Sequence, residues 1–594
     1  MVEYFWKTQK EYERIPDVPT CDTLESAADN DPEAVFGEKK TVLVACRKWI
    51  PFIVGFLIIG AFCVFLPHLL WSSPALRAPQ TPPPQAQSHR ALVELQWEQH
   101  HHLQDQGNNE IIYVAHVEFC QEGNSSTFGY RQLTTHYPPK EESNPSSCGP
   151  AGLVIRLTPG QSYRLVLHNN ANANNQVTNL HTHGLHIAGD GNADDITRTV
   201  QPGNCLVYHW DLPRNAMGGT FWIHPHGQGN AQEQLTGGAY GMLIVEDSLS
   251  LFLAKDKSEQ EVAHPPLQTQ YQNIQQWLQN ELLMVVYTKG TKRTALYTPT
   301  TTTSSTSSQL SALELEQDVW YRLRLLTVDP KGERVPVTFP NGCQVHLAAT
   351  DGMWLTQTPQ MQSQQTFNST GAGRLDLAIR CNALGIHDVL VHNHTAGSLH
   401  VIVPKSANTV LADPFYYDDN SNNPQRRSWK PNYPPHLADL LTASSSNDMH
   451  YFQTHTLTLI NRTINDMSWD AQLPLLDLQD IPYNSYQEFV VRGSDIHPFH
   501  MHVYPVQTFD CGPHHIDGQF YDTIVSSSTD TTCRLRFRVL DYAQRIVLHC
   551  HNILHEDQGM IVWFNVSTTT DSGAAIPVQD ATHRDEMICG NVPF

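Results

Sequence analysis

Residues 548–560 read LHCHNILHEDQGM. On an extended backbone successive side chains point to opposite faces, so His549 and His551 share one face while Cys550 takes the other. Four residues on comes His555, and five beyond that Met560. A thiolate with two imidazoles and a weak axial thioether is the donor set of an electron-transfer copper. The same short stretch can therefore serve two metal centres, with one peptide between them. That geometry needs a strand, which sets the reading of everything around it.

Three further histidine clusters lie upstream: His181-Thr-His183-Gly184, His224-Pro-His226-Gly227 and His497-Pro-Phe-His500-Met-His502. Each is weak alone, because a lone His-x-His in a chain with 32 histidines is more often structural. Met560 alone would read as core packing. Together they supply a full set of donors, two clusters early in the chain and two late, and coincidence does not explain that. His186 and His209 fall outside the pattern and read as structural, and the His100–His102 run reads as a solvated surface stretch.

The text around the clusters is β in character. Short runs rich in Val, Ile, Leu and Tyr are broken by Pro-Gly, Asn-Gly and Asp-Gly turns. In LVIRLTPGQSYRLVLHN (153–169), Tyr163, Leu165 and Leu167 alternate with Arg164, Val166 and His168. No sustained helical period appears in the main body. Interruptions at 248–275 and 413–435 mark boundaries, and the Thr/Ser tract 298–308 reads as a loop. At roughly 100–200 residues per domain, 594 residues imply three β units, the middle one chemically silent.

Net charge is −22 with no long Lys/Arg run, which excludes nucleic acid as a partner. Trp49–Trp71 is strongly apolar and long enough to cross a bilayer. A signal peptide, the competing reading, has a shorter apolar core nearer the start. Lys39, Lys40, Arg47 and Lys48 precede the segment, so the positive-inside rule leaves the N-terminus in the cytosol. The expectation is a single-pass type II membrane protein with an extracellular or luminal body. Five Asn-x-Ser/Thr sequons follow, at Asn124, Asn368, Asn393, Asn461 and Asn565. Nine cysteines lie beyond the segment; with Cys550 set aside, eight remain, an even number suited to disulfides. Cys343 with Cys381 and Cys511 with Cys533 are the plausible local pairs.

Taken in order, the motifs H-x-H-G, H-x-H, H-P-x-H-x-H and H-C-H-x(3)-H-x(4)-M resemble those of the three-domain multicopper oxidases, which include laccases, copper-efflux oxidases and ferroxidases. Further matches are GGAYGMLIVED (237–247), RLRLL (322–326), ATDGMWL (349–355) and FYDTI (520–524), several closest to bacterial-type members. The resemblance covers roughly residues 110–570. It implies an all-β fold of three consecutive cupredoxin-like Greek-key β-sandwich domains, preceded by one transmembrane helix. The expected division is a tail at 1–48, an anchor at 49–71, a Pro-rich linker at 72–92, and domains at 93–255, 270–410 and 435–580. It implies four copper ions. His497, Cys550 and His555 would bind the type 1 copper with Met560 axial, and His181 and His500 the type 2 copper. His183, His224, His226, His502, His549 and His551 would bind the type 3 pair.

A Met axial ligand implies a moderate rather than high reduction potential. Dioxygen reduction also needs protons, and in bacterial-type relatives an acid follows the last type 1 histidine; here it is Glu556. Asp194 in GNADDI (191–196) is the second candidate, with Asp190 in reserve, as proton relay or as ligand-orienting carboxylate. The expected partners are O2 and a phenolic or aromatic reductant, with Fe(II) or Cu(I) as the alternative donor beside a metal permease. A non-catalytic copper-binding protein is the third reading. Asp495, two residues before His497, could attract Fe(II).

Overall fold

The computed structural model describes residues 92–103, 109–123, 125–133, 152–172, 176–247, 273–297, 312–357, 365–405, 413–415, 432–445, 452–469, 478 and 481–567. The expected tail, membrane span and Thr/Ser tract lie outside them, as does the Pro-rich linker up to 91. Among the described residues no helix is long and apolar enough to cross a membrane.

Six sheets form three successive pairs. In the first pair one sheet runs Val93–Glu94, Leu153–Leu157, Gly241–Val245, Gly219–His224, His181–His183, facing a sheet of Glu98–Leu103, Asn109–Gln121, Ser162–Asn170 and Cys205–Asp211. The middle pair is built from strands between Glu281 and Ile402, the last from strands between Phe452 and Val566. One feature repeats in all three: the first long strand pairs parallel with a later one. These pairs are Asn109–Gln121 with Ser162–Asn170, Glu281–Lys289 with Tyr321–Val328, and Phe452–Ile460 with Tyr486–Arg492. Parallel neighbours require a crossover, so each sandwich carries the chain away and back between its two pairings.

The alternation expected at 162–170 holds only in its first half, and from Leu165 to Asn169 every side chain is buried. Gly241–Val245 is buried throughout as well. A strand covered on both faces loses period-two patterning: the middle sandwich covers the second face of Gly241–Val245, whereas Val166 packs with Val114 and Val207 of its own sheet. One apolar cluster reaches from Leu95 in the first sandwich to Val566 in the third, and another fills the middle one. A third, including Trp222, Leu283, Val285, Leu326 and Ile553, seals the joint between first and middle. Each such side chain contributes about 1.5–3 kcal/mol on burial. Beside it, Arg322 and Arg324 pair with Asp247 and Asp376, and Arg324 and Arg156 with Glu281. Gly219 lets the first sandwich close onto the middle one, since a Cβ there would overlap the Gly352 carbonyl.

Short helices, none of them singled out from the sequence, interrupt the β text. Ala231–Gly237 and Ile553–Asp557 follow histidine motifs, and Pro435–Ser445 opens the last third of the chain. The His100–His102 run sits in the edge strand Glu98–Leu103, with His101 exposed. Cys343–Cys381 and Cys511–Cys533 are bonded as expected; Cys120 and Cys205 are disulfide-bonded too. Asn368, Asn393 and Asn461 are exposed and Asn565 is half-buried.

Candidate metal centre

Register places the donors. His181–His183 pairs antiparallel with Gly219–His224, setting His181 opposite His224. In the third sandwich Phe499–Met501 pairs with Gln544–Cys550, setting His500 opposite His549 and Phe499 opposite Cys550. Facing residues share a side of the sheet, so the imidazoles collect on one face and the thiol lies on the other.

On the thiol side, Cys550 Sγ lies 3.7 Å from His497 Nδ1 and 3.7 Å from His555 Nδ1, and the two nitrogens are 3.2 Å apart. Donors bound at about 2.0–2.3 Å to one ion are separated by such distances. Met560 is fully buried; its N–H donates to the His555 carbonyl and its own carbonyl accepts from Cys550 N–H. Burial pushes the Cys550 thiol up to about 12 and, with help from His555, holds His497 down at about 4. Among the described residues Cys550 is the free cysteine.

On the other side, His181, His183, His224, His226, His500, His502, His549 and His551 are all at most 3% exposed. They converge as overlapping sets, each with donor atoms close enough to share an ion: His181, His183 and His500; His183, His224 and His551; His226, His502 and His549. His549 Nε2 is 3.2 Å from Nε2 of both His226 and His502.

The outward nitrogens are tied down. His181 Nδ1–H donates to Asp194 Oδ2 at 2.8 Å, His183 Nε2–H to Asp522 Oδ1 at 3.1 Å, His224 Nδ1–H to the Pro225 carbonyl at 3.0 Å, and His500 Nδ1–H to the Asp522 carbonyl at 2.8 Å. His549 Nδ1–H donates to the Cys550 carbonyl at 3.2 Å; Glu556 Oε1 lies 3.2 Å from His226 Nδ1 and Oε2 lies 3.2 Å from His549 Nδ1. The inward nitrogens of His181, His183, His224 and His500, and both nitrogens of His551, are buried without a hydrogen-bond partner. A buried bare nitrogen costs about 1–3 kcal/mol, and imidazoles held by one nitrogen with the other left bare match metal ligands. Burial, followed by the neighbouring imidazoles, drives these histidines toward the neutral, ligating form. The donor set thus fits copper ions.

Asp194 and Glu556 are buried against this cluster, and burial raises their carboxyls to about 8 and about 7. Asp190 instead accepts its neighbour Gly191 N–H in a turn. Asp495 takes a hydrogen bond from the Thr529 hydroxyl at 3.0 Å. His186, outside the pattern, bonds to the Val503 carbonyl and lies 3.2 Å from Asp541, joining first and third sandwiches structurally. Sequence reasoning misses Asp522, Thr523 and Arg374. FYDTI stands out only as a matching string, and an arginine within a middle strand carries no sign of pointing toward a metal.

Residues 144–250 and 432–570 each match a family model described as multicopper oxidase. The multicopper oxidase mco of Staphylococcus epidermidis is 30% identical over 154 residues, 24% of this chain and 32% of the relative; that of Staphylococcus aureus is 30% identical over 153. The matched stretch thus spans about a third of the curated relatives' length. By structure the chain is similar to a laccase from Pediococcus acidilactici, with TM-score 0.55 and 17% identity, covering 82% of this chain and 95% of that one. It is also similar to a Campylobacter jejuni multicopper oxidase described as a metallo-oxidase, with TM-score 0.51 and 15% identity, over 80% and 94%. The structural likenesses carry the fold, and the two matched segments contain every histidine that the fold gathers. On that agreement residues 144–250 and 432–570, which supply the histidines of the first and third sandwiches, are multicopper oxidase segments.

Proposed function

We propose that the chain is a laccase-like copper oxidase that takes single electrons from a phenolic or aromatic reductant and reduces dioxygen to water. One observation carries the reading: Cys550 faces His497 and His555, while its chain neighbours His549 and His551 belong to the eight-imidazole cluster. On this reading His497, Cys550, His555 and axial Met560 hold the type 1 copper, and His181 and His500 the type 2. His183, His224 and His551 hold one type 3 ion; His226, His502 and His549 hold the other. The three consecutive sandwiches serve as cupredoxin-like domains.

Bound copper supplies the one-electron steps. The chain's own residues do the rest. Cys550 and its flanking peptides form the covalent path between the centres. Glu556, in contact with His226 and His549, lines a cavity of about 310 Å³ together with Thr199, Gln228, Asn230 and Trp469. That cavity gives water a route to a carboxyl that burial keeps protonatable near neutrality, fitting Glu556 to deliver a proton. Asp194 holds His181 in place and is the second proton-bearing group.

Two features favour an organic donor. Ile496 and Leu554, each next in sequence to a type 1 histidine, are 63% and 39% exposed. Arg462, at the exposed tip of the hairpin Phe452–Ile460/Thr463–Ile464, places its positive charge close enough to bear on both His497 and His555. That charge disfavours a cationic donor at His555, where no acid counters it, less so at His497. The opposing feature is Asp495, whose charge also bears on His497. Copper-loaded protein assayed in parallel with a phenol and with Fe(II) tests the reading, and the phenol is expected to give the higher kcat/KM. A clear advantage for Fe(II) would move the assignment to metallo-oxidase. No oxygen uptake with either donor would leave a copper-binding protein. Attachment to a membrane through Trp49–Trp71 is proposed on sequence alone.

A further inference from the structure

The middle sandwich was expected to be chemically silent, yet one of its arginines reaches the histidine cluster. Arg374 lies in the strand Arg374–Cys381 and is 0% exposed. Its guanidinium grips Asp522 with both prongs: Nη1–H donates to Oδ1 at 3.0 Å, and Nη2–H donates to Oδ2. Nε–H donates to the Thr220 carbonyl at 3.2 Å, so this one group touches all three sandwiches.

What Asp522 does next gives the contact its meaning. Oδ1, held by the arginine, is 3.1 Å from His183 Nε2, and the Thr523 hydroxyl is 3.2 Å from the same nitrogen. The Asp522 carbonyl accepts His500 Nδ1–H at 2.8 Å. One dipeptide therefore orients two cluster histidines, one from each outer sandwich. Its main chain is pinned in turn, because Asp351 Oδ2 accepts Asp522 N–H at 3.2 Å and Oδ1 accepts Arg374 N–H at 3.1 Å. Asp351 sits in left-handed backbone, φ 48°, an uncommon conformation for a non-glycine residue. The glycine of H-x-H-G belongs to the same knot: Gly184 has φ 83°, and a Cβ there would collide with Asp522 Oδ2 and Arg374 Nη2.

We propose that Arg374 is a positioning residue of the metal cluster: through Asp522 and Thr523 it fixes the rings of His183 and His500 so that their bare nitrogens face the ions. The inference rests on the copper reading above. A guanidinium suits the task because its planar fork fixes a carboxylate's orientation, whereas an ammonium holds it only as a point charge. Arg322 is the natural control. It is 1% exposed, is paired with Asp376 and Asp247 at the joint between first and middle sandwiches, and makes no contact with the cluster among the described residues.

The test compares wild type, Arg374→Lys and Arg322→Lys as copper-loaded full chains, with thermal unfolding recorded for each. Copper retention against a graded chelator, the paramagnetic signal of the type 2 ion and the blue band of the Cys550 centre are measured. Arg374→Lys is expected to lose cluster copper about 10–100-fold more readily than wild type and to show an altered type 2 signal, with the blue band unchanged. Arg322→Lys is expected to shift only the unfolding temperature. Equal cluster retention in the two variants overturns the inference. If wild type itself takes up no cluster copper, the underlying reading fails instead. Should Arg374→Lys not fold, Thr523→Val takes its place: weaker cluster copper with an intact blue band supports the inference, and unchanged retention overturns it.

Discussion

The two candidate centres share one strand but are built differently. The mononuclear one draws His497, Cys550 and His555 from a single sandwich, with the two histidines 58 residues apart in the chain. The cluster takes four imidazoles from the first sandwich and four from the third, and a guanidinium from the middle one locks the carboxylate behind them. Its geometry exists only when the sandwiches dock. A local site depends on strand register; a shared site depends on every contact that seats one domain against another.

The largest effect should come from the residue that links the two centres. Cys550→Ser is expected to abolish the blue absorption and all donor oxidation while the eight imidazoles keep their copper. Copper analysis beside an oxygen electrode checks this, and steady turnover without the blue band would break the proposed link. Glu556→Gln touches only the cluster side. It should slow reoxidation by dioxygen by about 10²-fold or more, with reduction of the blue centre by donor unchanged in stopped flow. Equal slowing of both halves would mean that Glu556 serves packing rather than proton delivery.

A smaller effect is expected at the joint between first and middle sandwiches. Burial alone would raise Glu281, but Arg324 and Arg156 outweigh it and hold its carboxyl down at about 2, against an ordinary 4.5. A depressed carboxyl stabilises the fold fully above its unfolded value, and that stabilisation fades as pH falls from about 4.5 toward 2. Glu281→Gln should therefore cost on the order of 1–3 kcal/mol near neutrality, and the difference from wild type should shrink in acid. Denaturant unfolding at several pH values reads it. A difference independent of pH would assign the loss to packing. The blue centre should not respond, because none of its donors lies at that joint.

Much of this arrangement is legible in the amino-acid sequence. The four motifs carry their spacing in plain view, and period-two alternation accounts for His181 with His183 and for His549 against Cys550, which lie on strands; His226, His497, His502 and His555 lie beyond the strands, and that rule does not place them. Glu556 and Asp194 are legible too, being close in sequence to ligands. Arg374 is not, since its role depends on a partner 148 residues away in another sandwich. Within its strand it reads as one more polar residue. The helix Pro435–Ser445 escapes for a different reason: PHLADLLTASS is short and only weakly amphipathic, and a Pro/Asn-rich boundary precedes it. Burial of whole strands, as at Gly241–Val245, also erases the alternation that would identify them.

The pairing of Phe499–Met501 with Gln544–Cys550 also bears on how this chain can change over generations. A slip of one position reverses every side chain on the strand, so loss of one residue between Arg545 and His549 would turn the thiol toward the imidazole pocket and its neighbours away from it. Both centres would be disarmed by a single lost codon. A change of length leaves the ladder in step where it falls in an exposed turn such as Ser527–Asp530.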